Sequence, residues 1–287
     1  MQEPSDGPER TPGPRIARAG QSDELRELCA LFAARNPGYA LEERALDGLV
    51  VDSAAAIAFV HQSAGECALG EERSLLVEGD VVCARRGARL RADAALRAPV
   101  FSTPEELDSS IPSFLRPDAG SEFADQVGGC AEDAGAYRRI LLTWQSTVGP
   151  YVYRALNCHR VRMTDSLAHY HPLEDGFDEL YLVHQVAPGG VLHTSVHVDE
   201  LEHPEQVDAQ RADQLVRAHA VAPGDLVYLP RGTMHRASGG VLAHVVTVPG
   251  FRPGKEIGLD HHLRALAERT GVSLPYRAAT SDAPVVR

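Results

Sequence analysis

The feature that most constrains the fold is a pattern over residues 224–235, which reads G-x5-P-x-G-x2-H. Residues 226–229 form an apolar run typical of a strand, and the run stops at Pro230. Proline fixes φ and lacks the N–H of a ladder, while a glycine such as Gly232 allows the unusual backbone of a tight turn. His235 therefore directly follows a rigid strand and turn. Rigid placement of this kind is what a metal ligand requires.

A second group of metal-ligating residue types lies upstream. His169 and His171 are two positions apart, so on a strand they face the same side. Glu179 begins the next predicted strand, residues 179–186, and a Pro-Gly-Gly turn at 188–190 closes the hairpin. The two histidines and the carboxylate are therefore expected at the same end of neighbouring strands.

These two stretches resemble the two sequence motifs of the cupins, which are small jelly-roll β-barrels. The second motif matches through His235, but Gly239 stands where the family pattern has an asparagine. The first motif lacks the glycine that the family has before His169. The gap from its second histidine to Glu179 is also longer than in the family, and a longer loop over residues 172–177 accounts for that difference.

The resemblance implies one divalent transition metal per chain. Its predicted ligands are His169, His171, Glu179 and His235. Glu174 is a competing carboxylate nearer to the family's spacing, but Glu179 is preferred because it begins a strand, as the family's glutamate does. Imidazole suits Fe, Ni, Cu and Zn, and a carboxylate adds a hard oxygen ligand. Fe(II) is the first choice of metal, with Mn, Ni or Zn as alternatives.

The resemblance also implies the kind of protein. We expect a mainly β jelly roll and a metal-dependent enzyme that acts on a small molecule, in the first place an Fe(II)-dependent dioxygenase. One alternative is non-redox isomerase or lyase chemistry, with the ion as Lewis acid. Another is a small-molecule-binding cupin without turnover. Cupin functions are diverse, so the resemblance bears more strongly on the fold than on the reaction.

A rival ligand set uses the same second histidine. His197 and Asp199, taken with His235, have the composition of the two-histidine, one-carboxylate triad of non-haem Fe(II) oxygenases. Residues 223–235 also resemble the JmjC-type 2-oxoglutarate-dependent oxygenases. Against this hypothesis, Asp199 ends its predicted strand in an acidic run, and its spacing to His235 is shorter than that family leads us to expect.

Other residues are candidates for contact with the substrate. Tyr181 shares the predicted strand face of Glu179, and His197 lies on a predicted barrel strand, so both are candidate catalytic residues. Arg160 and Arg162 lie two apart on another predicted strand, and either could bind an anionic group.

The predicted elements suggest two tandem barrels. Residues 79–90 read G-x5-R-x-G-x2-L, which is the second motif with Leu90 at the position of the ligand histidine. We therefore expect a degenerate, metal-free cupin-like domain first; a single cupin with its own N-terminal extension is the alternative. The predicted units are a disordered segment (1–20), a helical lead with the degenerate domain (21–115), a linker (116–136), the metal-binding domain (137–255), and a helix and tail (256–287). Helices are predicted over 22–35, 41–49 and 261–270.

Composition restricts the partners. The chain has 287 residues and a net charge of −12. A surface with this charge repels nucleic acid and anionic membranes. It has no apolar run of membrane-spanning length, and its first residues show no apolar segment of a secretory signal. Five scattered cysteines fit a reducing cytoplasm. A small-molecule substrate is expected, and a homodimer by analogy with the cupins.

Overall fold

The structure is a computed structural model that describes residues 12–20, 22–128 and 137–277. Residues 1–11 of the predicted disordered segment, residues 129–136 of the predicted linker and the last ten residues of the tail lie outside these ranges. The described residues are mainly β-strand, as predicted. No helix within the described ranges combines the length and apolar character that crossing a bilayer requires.

The described residues of the first half of the chain form one helix and nine strands. They are β1 (Arg15–Arg18), α1 (Asp23–Arg35), β2 (Ala40–Ala45), β3 (Ala55–Phe59), β4 (Gly65–Leu69), β5 (Glu72–Leu76), β6 (Val81–Arg85), β7 (Leu90–Ala92), β8 (Arg97–Thr103) and β9 (Phe114–Leu115).

In the second half, residues 137–277 form nine strands and three α-helices. They are β10 (Arg138–Leu142), β11 (Asn157–Asp165), β12 (His169–Tyr170), β13 (Asp178–Val186), β14 (Val191–Ser195), α2 (Val198–Glu202), α3 (Ala209–Leu215), β15 (Arg217–His219), β16 (Asp225–Leu229), β17 (Met234–Val248), β18 (Ile257–Gly258) and α4 (Asp260–Thr270). A short 3-10 helix, Pro204–Gln206, separates α2 from α3.

The nine strands of the second half and β1 of the first form one ten-stranded antiparallel sheet that is organised around β17. The first part of β17 pairs with β12 and β14, and its second part pairs with β13 and β11. Gly239 lies between the two parts with a φ of 74°, and a Cβ there would sit 2.2 Å from the carbonyl oxygen of Gly189. This close approach explains why glycine, and not the asparagine of the cupin motif, occupies position 239.

The two faces of this sheet contribute to different cores, because successive side chains of a strand alternate. Tyr181 and Val183 of β13 pack inside the second half, against β16 and β17. Leu180 and Leu182 face the other way, toward α1 and the five-stranded sheet of the first half. Phe32 of α1 belongs to this second core, so the helix helps to hold the two halves together.

The first half has a smaller core of its own. Its five-stranded sheet has the order β2-β8-β3-β6-β9, and a three-stranded sheet has the order β5-β4-β7. Leu90, at the position that the intact motif gives to a histidine, is buried in the cluster between these sheets.

Two segments differ from their predictions because long-range pairing overrides local sequence. Residues 15–18, predicted to be disordered, form β1 and pair with β16, so that Arg15 lies opposite Tyr228. The predicted helix 41–49 is wrong: its first part belongs to β2, which pairs along β8. Part of the predicted linker is also packed, since Phe123 is buried between the halves.

The final helix is observed close to its predicted bounds, as α4, and it ends at Gly271 in the left-handed conformation with a φ of 74°. Leu259 occupies the N-cap position of α4 and makes no side-chain cap. The Asp260 carboxylate instead accepts hydrogen bonds from the backbone N–H groups of Ala168 and Arg277. Asp260 therefore ties α4 to the strand that carries His169.

Three buried histidines lie where the two halves meet. The Nε2–H of His61 donates to the carbonyl of Val183 at 2.7 Å. His184 pairs through Nδ1 with a carboxylate oxygen of Glu78 at 3.0 Å, and its Nε2 lies 2.8 Å from Nδ1 of His244. Burial lowers the pKa of all three, to about 4 for His184. The contact between the halves therefore requires neutral imidazoles.

We expect acid to weaken this contact. The pKa of His184 is lower in the folded protein than its ordinary value of 6.5. The folded protein therefore has its full stability at pH values above 6.5, where the ring is neutral in the folded and the unfolded state. That stability is lost as the pH falls toward the folded value of about 4. For His184 the loss in the free energy of unfolding is roughly 3 kcal/mol. The charged residues near its ring are Glu78 and Arg160. Thermal melting from pH 7.5 to pH 4.5 should show a steeper decline for the wild type than for His184→Gln. Parallel profiles would contradict the role of His184.

Candidate metal centre

The strand ladder brings the predicted ligands to one place. His169 of β12 and His235 of β17 lie directly opposite each other in the antiparallel register. His171 follows β12, and its carbonyl accepts the N–H of Gly232 at 2.7 Å, which fixes the turn before β17. Glu179 lies in β13 beside the second part of β17. The first and second motifs therefore meet through backbone hydrogen bonds.

The four side chains form a compact cluster of donor atoms. One ligand atom from each of His169, His171, Glu179 and His235 lies within 4.8 Å of all the others, and all four residues are buried. The Glu179 carboxylate oxygens lie 3.4 Å from Nε2 of His235 and 3.7 Å from Nε2 of His171. Distances of this size around one point suit a single ion bound by three imidazoles and one carboxylate.

The hydrogen bonds of the histidines orient them toward that point. Nδ1 of His169 lies 3.1 Å from the carbonyl of Leu167, and Nδ1 of His235 lies 3.0 Å from the carbonyl of Thr233. These bonds place the ring proton on Nδ1 and leave the Nε2 lone pair available, as in many metal sites. Within the described ranges, Nε2 of the three histidines and Oε1 of Glu179 are buried without a hydrogen-bond partner.

Unpaired polar atoms are costly in a protein interior. Four such atoms that converge on one point are accounted for by a cation, which would bind all of them. The residues present therefore fit a divalent metal ion on the chemistry of their donor atoms.

The pKa shifts of the four clustered side chains favour the protonation states that a metal ion requires of its ligands. Burial lowers the pKa of His169 to about 4, and it also lowers the pKa of His171. Burial alone would raise the pKa of Glu179, but His235 and His171 hold it below its ordinary value. The Glu179 carboxylate raises the pKa of His235 against the effect of burial. A metal ion would displace any proton on His235, as metal binding generally does.

A buried network holds the first residue of β13 and, with it, Glu179. The Asp178 carboxylate accepts hydrogen bonds from the hydroxyl of Tyr228 and the side-chain amide of Asn36. It also accepts the backbone N–H and the Nε–H of Arg231, both at 2.8 Å. Asp178 thereby connects α1, the end of β16 and the Pro-Arg-Gly turn, which fixes the Glu179 strand relative to His235.

A cavity of about 510 Å³ opens beside the cluster. Its polar lining residues are Arg138, Thr143, Gln145, Asn157, His159, Glu179, Thr247 and Glu256, and its apolar lining residues are Ile140, Leu142, Trp144, Phe177, Phe251 and Pro253. Gln145 and Pro253 are exposed, so the mouth lies between the segment after β10 and the loop before β18. This volume is in the range of small-molecule sites, which is roughly 300–1,000 Å³.

Glu256 is a second carboxyl group at the inner end of this cavity. It is buried, and its Oε1 lies 3.4 Å from Nε2 of His169, but it does not belong to the group of four ligand atoms. Burial and the negative charge of Glu179 raise its pKa to about 7. A carboxyl group in such a position can hold or release a proton near neutral pH.

One wall of the cavity is aromatic and leads away from the metal cluster. The ring of Phe177 lies 3.9 Å from that of His171, and Phe251 lies 5.4 Å from Phe177. Trp144 stacks on Phe251 with ring centroids 4.2 Å apart and an angle of 27°. Trp144 is half-buried and lines the cavity.

The predicted catalytic residues have different positions. Tyr181 is buried with its ring 6.2 Å from that of His235, so it packs beside the cluster and not along the cavity. His197 lies outside the cavity and is 38% exposed in its side chain, with Nδ1 3.3 Å from Glu200 and 3.1 Å from Arg211. The structure therefore pairs His197 with Glu200 at the surface, outside the metal-ligating group found among the described residues.

The alternative ligand set is not assembled. Asp199 is exposed at the start of α2, and neither it nor His197 belongs to the metal-ligating group found among the described residues. Glu174, the competing carboxylate of the first motif, is also exposed. Both acids are therefore exposed to solvent, away from the buried cluster.

The predicted anion-binding arginines also lie elsewhere. Arg160 is buried on the opposite face of β11, where it bonds to the carboxylate of Asp118. Arg162 lies 3.3 Å from the side-chain oxygen of Gln185. The arginine of the cavity is Arg138, which sequence reasoning missed, as it missed Glu256. Strand alternation in β10 offered a signal for Arg138, whereas no periodic pattern marks Glu256 in its irregular loop.

Comparison with known proteins identifies chains of similar fold, but no related sequence. No protein-family model and no curated protein sequence matches the chain. A structure of oxalate decarboxylase matches 96% of this chain and 84% of its own with a TM-score of 0.51 and 12% identity. A mutant of Bacillus subtilis oxalate decarboxylase matches 98% of this chain and 86% of its own, with a TM-score of 0.50 and 12% identity.

These neighbours are cupin jelly-roll proteins, so the predicted fold class is confirmed. At 12% identity the likeness is one of fold alone. The chain therefore has a cupin-like fold, and its cluster of three histidines and one glutamate is a candidate metal centre.

Proposed function

We propose that the protein is a metal-dependent cupin enzyme that catalyses a non-redox reaction, a lyase or isomerase step, on a small molecule. The observation that carries this proposal is Glu256, a carboxyl group that faces the cavity beside the ligand cluster without being part of it. Lyase and isomerase reactions need a proton donor or acceptor at the reacting carbon, and Glu256 stands where one is required.

The chain's own residues would divide the work as follows. His169, His171, Glu179 and His235 would hold the ion, which would supply Lewis-acid polarisation of a substrate oxygen. Glu256 would move the proton, and the aromatic wall would exclude water from the reacting end of the cavity. Decarboxylation, the reaction named for the oxalate decarboxylases of similar fold, belongs to this class.

An Fe(II)-dependent dioxygenase is the second candidate. It is favoured by the ligand set, since imidazole and carboxylate donors suit iron, and by the apolar wall that would limit water at the site. Insertion of dioxygen does not by itself require a proton donor beside the ligands, whereas lyase and isomerase chemistry does, so the position of Glu256 is the reason for ranking the dioxygenase second.

Dependence on oxygen separates the two candidates. Protein loaded in separate samples with Fe(II), Mn(II), Ni(II) or Zn(II) would be incubated under argon and in air with a panel of small organic acids, with products followed by NMR. We expect turnover under argon with at least one metal other than iron. Turnover that requires Fe(II) and consumes one dioxygen per product would establish the dioxygenase. Binding without turnover in every sample would leave a binding protein and contradict both proposals.

We further propose that residues 21–115 are a degenerate cupin domain without a metal. Support comes from their own core between two sheets and from buried Leu90 at the position of the ligand histidine. The domain boundaries and the homodimer expected from the resemblance stay predictions.

A further inference from the structure

We infer that the substrate is a carboxylate attached to a flat apolar body, with the carboxylate bound by Arg138 and the body lying on the wall formed by Phe177, Phe251 and Trp144. This inference rests on the proposed function in taking the cavity beside the metal cluster to be the substrate site.

The first argument is the charge on the cavity wall. Arg138 is the one lysine or arginine among the described residues that line the cavity, and it faces a site that already holds the acids Glu179 and Glu256. After burial, its positive charge is a further cause of the lowered pKa of His159, and it opposes the rise in the pKa of Glu256, so the guanidinium lies close to these cavity groups. The backbone of Arg138 is fixed on both sides, by β11 and by the N–H of Gln126.

Further polar atoms line the same cavity as Arg138. Nε2 of His159 and the hydroxyl oxygens of Thr143 and Thr247 are buried and have no hydrogen-bond partner within the described residues. Buried polar atoms of this kind are normally paired. An anion with two oxygens could accept from Arg138 and His159 together, because a guanidinium presents several donors in one plane.

The second argument is the shape of the opposite wall. The rings of Phe177, Phe251 and Trp144 follow one another from the cluster to the mouth, and the last two are stacked. Phe251 is also held by its backbone, because its N–H donates to the side-chain oxygen of Asn157. A wall of fixed rings favours a flat ligand, since aromatic rings gain from stacking beyond the area that they bury.

The third argument is size. A cavity of about 510 Å³ is much larger than an acid of a few atoms needs. A small acid bound at Arg138 would leave the aromatic wall wet, whereas a ligand with an apolar body covers it. The charge, the wall and the volume therefore point to the same class of ligand.

The test uses the full-length, metal-loaded protein under argon and three matched probes. Phenylacetate has both features, phenylacetamide has the ring without the charge, and acetate has the charge without the ring. Trp144 is the only tryptophan of the chain, so its fluorescence reports ligands that reach the wall. We expect phenylacetate to change this fluorescence and to bind at least ten times more tightly than either other probe.

Two variants identify the anion site. Arg138→Met should weaken phenylacetate binding at least tenfold and keep its metal, while Arg162→Met, which changes an arginine outside the cavity, should bind as the wild type does. Equal affinity for phenylacetate and phenylacetamide, or unchanged binding by folded Arg138→Met, would overturn the inference. If Arg138→Met fails to fold, the comparison of the three probes on the wild type still decides.

This experiment is independent of the proposed reaction, because it measures binding and not turnover. If the probes do not bind as expected while the protein still catalyses a proton-transfer reaction, only the inferred substrate class is refuted. Binding as expected, with turnover that depends on oxygen, would remove the lyase or isomerase proposal alone.

Discussion

The His235→Ala variant is expected to lose its metal ion while remaining folded. His235 contributes one of four donor atoms that lie within 4.8 Å of one another, and its ring is held in place by the carbonyl of Thr233. Even changes that only reorient a ligand cost about 10–100-fold in metal affinity, so loss of the ligand itself should cost at least about 100-fold. Elemental analysis of the untagged protein by mass spectrometry should find about one ion per chain in the wild type and almost none in the variant.

His197→Ala is the matched control for this measurement. His197 is a histidine of the same domain that was an alternative ligand, and the structure places it in a surface ion pair with Glu200. We expect His197→Ala to keep its ion. Loss of metal from both variants would restore the ligand set of His197 and Asp199, and an equal metal content in all three proteins would refute the site.

The Glu256→Gln variant is expected to keep its metal and lose turnover by about 10²–10⁴-fold, the usual contribution of a general acid or base. Glutamine has nearly the same shape as glutamate, so the cavity should be preserved, but its amide cannot exchange a proton in the same way. Glu256 also lies outside the ligand group. Incorporation of solvent deuterium into substrate or product, followed by NMR in D₂O, measures the proton transfer directly.

Metal content makes this test specific. If Glu256→Gln loses its ion together with its activity, Glu256 is a ligand, and its assignment as the proton-transfer residue is wrong. Glu174→Gln changes an exposed glutamate of the nearby loop and should leave both metal content and activity unchanged. Full activity in Glu256→Gln would equally contradict the proposal.

The ligand cluster could be predicted from the sequence because its members lie in short local patterns. His169 and His171 share a strand face by their spacing, and His235 follows a turn that proline and glycine specify. Glu179 was preferred to Glu174 because it begins a strand, and the structure puts Glu179 in the cluster and Glu174 in solvent.

Segments without a strong local pattern were predicted less well. Residues 41–49 have apolar residues at spacings that suit a helix, yet the segment begins in β2, where pairing with β8 satisfies its backbone. Residues 15–18 resemble a disordered terminus, but β16 offers an unpaired edge that they complete. In both cases the partner strand is distant in sequence, so the residues of the segment itself do not predict the pairing.

The sequence by itself therefore determined the strand-rich character of the chain and the four candidate ligands, since turn chemistry and side-chain alternation act over a few residues. Only the tertiary structure decided what surrounds them. Glu256 reaches the cluster from an irregular loop near the end of the chain, and Arg138 enters the same cavity from β10. Their proximity depends on how distant strands pair and close, and those long-range contacts leave no periodic pattern in the sequence.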